Sequence, residues 1–199
     1  MQNHPNKLSK TNITRTISRN GDTIMDSKKF ETELKQQPDT VNMDYVDDVI
    51  NASLSNVTRN YPGLLNAIIT MEECGELIQE VTLNENGKDN HYDLLQEMAD
   101  VEICIYYLMK IFNISKEEFE NQPESKHVTI AITKVCSKMI QEVSKAIRNK
   151  NNHYELLQSM VDTHHAIHQY MNAHNINEKA LNKAINVKLN RLKKRGNNF

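Results

Sequence analysis

The sequence is short of the residues that turn, bridge or anchor a chain. Five glycines, four prolines and no tryptophan occur in 199 residues. An all-β sandwich or barrel needs far more turns than these residues supply, so helix is the expected class. Cysteine is scarce too: Cys74, Cys104 and Cys136 fall inside apolar-periodic segments and form no C-x-x-C pair. They read as reduced, buried small hydrophobes, which argues against disulfides and zinc alike. No run of 18 apolar residues exists, so no membrane span is expected. The N-terminus has no hydrophobic stretch of the kind a secretory signal carries, and a cytoplasmic location is the expectation. Charge of one sign is also missing, with a net value of −2. That balance lacks the basic footprint of a nucleic-acid-binding surface.

Residues 1–39 are polar, with scattered apolar side chains and little surface to bury against the entropy of ordering. A flexible N-terminal tail is expected there, with a short helix over 28–36 as the alternative. From Asp44 onward the pattern is helical. Val46, Val49, Ile50, Leu54 and Val57 recur at three- and four-residue steps. Tyr61-Pro62-Gly63 should break that helix. A second helix is expected over 64–83, ending in Asn84-Glu85-Asn86-Gly87-Lys88, and a third over 91–112 with Asn90 as N-cap. Ser115-Lys-Glu-Glu118 has the form of a capping box. Gln122-Pro123-Glu124-Ser125 reads as a linker, followed by helices near 127–148, 153–174 and 177–194.

The second half repeats the first. Residues 70–114 laid on 132–176, at a constant offset of 62 and without a gap, give 18 identities in 45 positions. Ile78-Gln-Glu-Val81 recurs as Ile140-Gln-Glu-Val143. Asn90-His-Tyr-Asp-Leu-Leu-Gln96 recurs as Asn152-His-Tyr-Glu-Leu-Leu-Gln158. The chain therefore reads as a duplicated helical hairpin, and two hairpins make a four-helix core. The all-α domain is placed at 40–199, with one repeat over 64–114, the other over 126–176 and a C-terminal basic helix over 177–195.

The repeats differ at their acids. The first reads Glu72-Glu73-Cys-Gly-Glu76 and then Glu97-Met-Ala-Asp100; the second reads Lys134-Val135-Cys-Ser-Lys138 and then Ser159-Met-Val-Asp162. Residues three apart sit about one turn apart on a helix face, so Glu73/Glu76 and Glu97/Asp100 form two carboxylate pairs. An antiparallel hairpin lets these pairs face each other. With Glu73 at 0°, Glu76 falls near about 300°, while Met71, Cys74, Leu77, Ile78 and Val81 span about 40–160°. The acids thus border the apolar stripe. The helix carrying Glu97 and Asp100 is apolar almost all round, which should make it central and those acids partly buried. Four converging carboxylates cannot stay as bare charges there, and a divalent cation removes the conflict. An all-oxygen ligand set suits Mg²⁺, with Mn²⁺ as a substitute. The competing reading is two ordinary solvated acidic faces. Their joint loss in the second repeat favours the metal site.

At these residues the chain resembles the MazG-like all-α nucleotide pyrophosphohydrolases. That superfamily includes the dimeric dUTPases, whose plan of two fused hairpin units with one inactive is similar to the duplication here. The resemblance implies that Glu73, Glu76, Glu97 and Asp100 are both the metal ligands and the catalytic set. Glu72 would be their neighbour of less defined role. It implies Mg²⁺-dependent cleavage of a nucleoside triphosphate to the monophosphate and pyrophosphate, with dUTP or an alarmone as alternative substrates, and a homodimer as the assembly. Ala180-Leu-Asn-Lys-Ala-Ile-Asn186-Val-Lys188-Leu-Asn-Arg191 is similar to a second, weaker family element near the phosphates. Asn186, Lys188 and Arg191 are therefore the candidate substrate-binding residues, set against a basic helix end that merely suits the helix dipole. A non-catalytic nucleotide-binding or scaffold protein is the rival class.

Three further features read as structural. Glu80 lies on the carboxylate face, but the second repeat keeps it as Glu142. His91-Tyr92 and His153-Tyr154 read as packing at helix starts. His164 and His168, four apart, suggest a metal pair, but no second helix offers matching residues, and polar filling of the lost site or a surface cluster is the expectation.

Overall fold

The computed structural model describes residues 27–56, 62–125 and 131–196. Eight helices lie in them: α1 (Ser27–Leu34), α2 (Met43–Asn56), α3 (Pro62–Glu85), α4 (His91–Ile111), α5 (Lys116–Asn121), α6 (Ile132–Ile147), α7 (His153–Ala173) and α8 (Glu178–Gly196). No strand occurs among the described residues. The all-α expectation holds, and the helix limits that can be compared fall within a turn of those expected; the expected helix end at Val57, the break at Tyr61 and the helix start near 127 lie outside the described residues. Pro62 does not simply end α2. It occupies the first position of α3, where its missing N–H costs nothing.

The duplication is written into the backbone as well as the side chains. The described residues with positive φ are Gly87 (80°), Asn113 (53°), Asn149 (54°) and Asn175 (55°). They form two pairs at the repeat offset, Gly87 with Asn149 and Asn113 with Asn175. Each follows a helix end whose next amide reaches back across the last turn. These bonds are Lys88 N to Leu83 O at 3.0 Å, Ile114 N to Met109 O at 2.9 Å, Lys150 N to Lys145 O at 2.8 Å and Ile176 N to Met171 O at 2.8 Å. A left-handed residue closed by such a bond is the usual helix stop, and glycine and asparagine tolerate it best.

The two hairpins, α3–α4 and α6–α7, pack mainly through α3 against α6. Cys74 on α3 and Cys136 on α6, equivalent positions in the repeat, are neighbours, and the Cys136 thiol together with burial pushes the Cys74 thiol up. Residues that meet their own counterparts lie near a two-fold axis, so the hairpins are related by an internal pseudo-dyad. All three cysteines are free and buried, as expected. α8 lies on the outer side of α4, and α2 and α1 pack on α8. The core draws on every layer: Leu77, Leu94, Met98, Leu108, Met139, Leu156, Met160 and Leu189 are essentially inaccessible.

The local signals resolve differently in the two repeats. Asn152 caps α7 by accepting from Tyr154 N at 3.0 Å. Asn90 stands at the same place before α4 but makes no such cap. Its side chain is buried and turned onto α3, donating to Glu80 O at 2.8 Å and Glu80 Oε2 at 2.6 Å. Glu80 therefore fastens the hairpin turn, the structural role expected of it. Ser115 and Glu118 form the expected capping box. Tyr92 packs against the core, whereas the Tyr154 side chain is exposed and its hydroxyl donates to Gln158. The shared packing role expected of the two tyrosines fails for the second.

Of the two N-terminal expectations, the short helix over 28–36 is met by α1, and the flexible tail does not extend over 27–39. Residues 1–26 lie outside the described residues, but 27–39 are built into the domain. Phe30 of α1 is fully buried in the core, and Arg191 of α8 lies 5.9 Å from its ring centroid. One aromatic anchor in a polar segment offers enough apolar area to dock a short helix, and a composition average hides it. Phe30→Ala should therefore destabilise the protein by roughly 3–5 kcal/mol in urea unfolding. A midpoint equal to wild type would show that α1 contributes nothing to the fold.

Candidate metal centre

α3 and α4 bring three of the four expected acids together. One carboxylate oxygen each from Glu73, Glu97 and Asp100 lies within 4.8 Å of the others. Glu76, on the exposed side of α3, lies outside that group but close enough to Glu97 and Asp100 for each to influence its charge. Glu72 is exposed and lies outside the group of three. The i,i+3 spacing on each helix accounts for this arrangement: each pair projects from one face, and the short hairpin turn sets the faces opposite one another.

Burial makes the cluster electrostatically costly. Desolvation, followed by the nearby charges of Asp100 and Glu76, pushes the Glu73 carboxyl up to about 8, against the pull of Lys188. Desolvation and then Asp100 push Glu97 up to about 9, again against Lys188. Glu76 is raised as well, by desolvation first, while its hydrogen bond with Glu97 works the other way. Without a cation the site therefore keeps protons on acids that would otherwise ionise near pH 4.5.

Lys188 supplies the positive charge within this group. It reaches in from α8 to bond Asp100 Oδ2, and both side chains are about four-fifths buried. Burial opposes its ammonium, but Asp100, Glu97 and Glu73 outweigh that and hold its pKa above the ordinary lysine value. Of the three candidate substrate residues, only Lys188 stands at the carboxylates. Asn186 is buried and donates to Pro38 O at 3.3 Å and Thr40 O at 3.0 Å. Arg191 donates to Glu33 Oε2 at 2.8 Å. Both are tied to the segment before α2, and the structure does not bring them to the carboxylates. Their partners lie in a region whose docking the sequence does not announce.

The residues present fit a divalent ion. Every donor is an oxygen, as Mg²⁺ and Mn²⁺ prefer. Glu97 Oε2 is buried with no hydrogen-bond partner, an uncompensated oxygen on a member of the cluster. One lysine cannot balance four acids, whereas a divalent ion added to it nearly does. Lys188 would then be available to share or release Asp100.

The second repeat shows what the same framework looks like without that problem. Val135 replaces Glu73 and is buried. Lys138 replaces Glu76 and pairs with Glu142 at 2.6 Å. Ser159 replaces Glu97 and bonds Leu156 O at 2.7 Å within its own helix. The surviving acid, Asp162, accepts from Ser125 N at 2.9 Å, Ser125 Oγ at 2.7 Å and Gln158 Nε2 at 2.9 Å. Neutral donors satisfy it and no cation is called for. Ser125 and Gln158 escaped the sequence reading, because their role depends on the linker folding back over α7. His164 and His168 also differ from expectation: a second helix does offer a ligand type, since Glu102 of α4 groups with them.

No family model, curated protein or solved structure matches the chain.

The raised carboxyls give a sign for stability against pH. Glu73 and Glu97 have folded-state pKa values near 8 and 9 against an ordinary 4.5. The folded state therefore holds protons that the unfolded chain releases. Their contribution is most favourable below about pH 4.5 and is lost as pH rises through about 8–9. In chelator, the melting temperature should fall between pH 5 and pH 9. Saturating Mg²⁺ or Mn²⁺ should flatten that fall, and Glu97→Gln should reduce it without metal. Melting by circular dichroism measures all three. A metal-free protein that grows more stable over this range would contradict the burial of these acids.

Proposed function

We propose that this protein is a Mg²⁺-dependent nucleotide pyrophosphohydrolase, converting a (d)NTP and water to the (d)NMP and pyrophosphate, and that it acts in control of the nucleotide pool. The observation that carries this reading is the oxygen-only cluster of Glu73, Glu97 and Asp100, with an unsatisfied buried acceptor on Glu97 and a lysine at its edge. The resemblance of Glu72-Glu73-Cys-Gly-Glu76 and Glu97-Met-Ala-Asp100 to the MazG-like signature supports the same chemistry.

Glu73, Glu97 and Asp100 would hold the ion, with Glu76 at the exposed mouth. When bound, Mg²⁺ supplies charge stabilisation for phosphoryl oxygens and a water of lowered pKa. The chain's own groups do the rest. Lys188 remains an ammonium at neutral pH and would move from Asp100 to the phosphate oxygens, stabilising charge as it builds on them. The water oxygen bonds to the α-phosphorus, the bond to the α–β bridging oxygen breaks, and pyrophosphate leaves. Glu76, at the exposed mouth beside Glu97, would be placed to take the proton released by that water. Substrate within this chemistry extends to dUTP or an alarmone, and a homodimer would be the working assembly.

The Lys188–Asp100 ion pair favours one rival, a non-catalytic nucleotide-binding or scaffold protein in which the lysine is the permanent counter-cation. Turnover separates the two. With Mg²⁺ or Mn²⁺ and each (d)NTP, dUTP and an alarmone in turn, pyrophosphate release is expected from at least one. Glu76→Gln and Asp100→Asn should abolish it, Lys188→Met should lower it roughly 10²–10³-fold, and Asp162→Asn should leave it intact. No release from any nucleotide at high protein concentration would overturn the enzyme reading.

A further inference from the structure

Glu102 is a second buried acid on α4, 3% exposed. It follows Asp100 by two residues, about 200° around the helix, so it faces away from the carboxylate cluster. What it meets is its own counterpart in the second repeat. His164 of α7 stands at the offset of 62, and its Nδ1 lies 3.0 Å from each Glu102 oxygen. Like the Cys74–Cys136 contact, this pair marks the pseudo-dyad, but here the duplicated position has diverged to carboxylate on one side and imidazole on the other. One turn further along α7, His168 adds a second ring, with Nε2 4.0 Å from Glu102 Oε1. The two imidazole centroids are 4.5 Å apart.

One donor atom from each residue, two nitrogens and one oxygen, lies within 4.8 Å of the other two. Around a tetrahedral ion with bonds of about 2.0–2.1 Å, donors stand about 3.3 Å apart. The spacings of 3.0 and 4.0 Å bracket that value. Histidines four apart on one helix face with a carboxylate from another helix are a ligand set suited to zinc and its transition-metal neighbours. Mg²⁺ prefers oxygen alone. The three residues border a cavity of about 340 Å³, with Glu178 and Asn182 of α8 on its wall, which leaves room for water or Glu178 at the remaining position. A plain ion pair accounts for His164 but gives no reason for His168 at the same oxygen.

We propose that Glu102, His164 and His168 form a second metal site, for a divalent ion of the zinc class, on the face of α4 opposite the carboxylate cluster. This site is independent of the pyrophosphohydrolase reading, since no nucleotide takes part. It would join α4 to α7, which touch only slightly elsewhere, and so clamp the two repeats together at their pseudo-dyad.

The test is Zn²⁺ titration of the full-length, chelator-stripped protein by calorimetry with Mg²⁺ in large excess, and Co²⁺ as a visible-absorption probe. One tight Zn²⁺ per chain is expected, with Co²⁺ showing the intense bands of a low-coordinate ion. His168→Gln should weaken Zn²⁺ binding at least tenfold and remove those bands. His164→Gln should do the same, and Glu73→Gln should change neither. Thermal melts of each variant confirm that it is folded. No Zn²⁺ binding above the Mg²⁺ background would leave Glu102 and His164 as an ion pair only and overturn the proposal. So would binding that both histidine variants retain, or binding lost in Glu73→Gln alone, which would put zinc at the carboxylates.

Discussion

The structure depends on how α4 carries charge through an apolar core. Leu94, Leu95, Met98, Val101, Ile105 and Leu108 make it the central helix, yet Glu97, Asp100 and Glu102 lie along the same few turns. An isolated ionised carboxylate in such a place costs far more than a domain's net stability can absorb. Each acid must therefore keep a proton, find a cation or find several donors. Glu97 does the first, Asp100 leans on Lys188, and Glu102 meets His164. The packing of α8 and α7 against α4 is thus an electrostatic arrangement as much as an apolar one.

The parts legible in the sequence were those set by local periodicity. The helices follow from apolar spacing, and the duplication from a constant offset. The convergence of Glu73, Glu97 and Asp100 follows from i,i+3 geometry on a hairpin, which leaves little freedom. The parts that escaped were set by which surface another element covers. Phe30 is one aromatic among polar neighbours, and no local pattern says that α8 offers it a seat. Asn186 and Arg191 share α8 with Lys188, but which of its side chains meets α4 and which meets the segment before α2 is fixed only by docking. Asn90 shows the same limit at short range: as a sequence it is a helix cap like Asn152, and only burial against Glu80 diverts its side chain.

Glu102 illustrates a signal that was present but went unused. At the repeat offset it pairs with His164, and a carboxylate aligned with an imidazole reads as simple divergence in a one-dimensional alignment. Near a two-fold axis the same alignment has another meaning, because aligned residues touch there. Cys74 and Cys136 give the same lesson with matched side chains. In a tandem duplication, positions that align are therefore also candidates for contact, and complementary chemistry between them is a structural clue.

The asymmetry between the repeats follows from that axis as well. Glu73 and Val135 lie on α3 and α6, which pack on one another, so a second full set of acids at Val135, Lys138 and Ser159 would put further like charge into the same core. Repulsion between like charges falls only inversely with distance in a partly desolvated site, and two such clusters would compound each other's burden. Converting one set to a valine, a lysine already paired with Glu142 and a serine bonded to its own helix removes that burden while keeping the apolar surface that α3 packs against. Asp162 could persist because Ser125 and Gln158 satisfy it without a cation. One repeat is thereby free to hold an electrostatically costly site because the other has given it up and become its support.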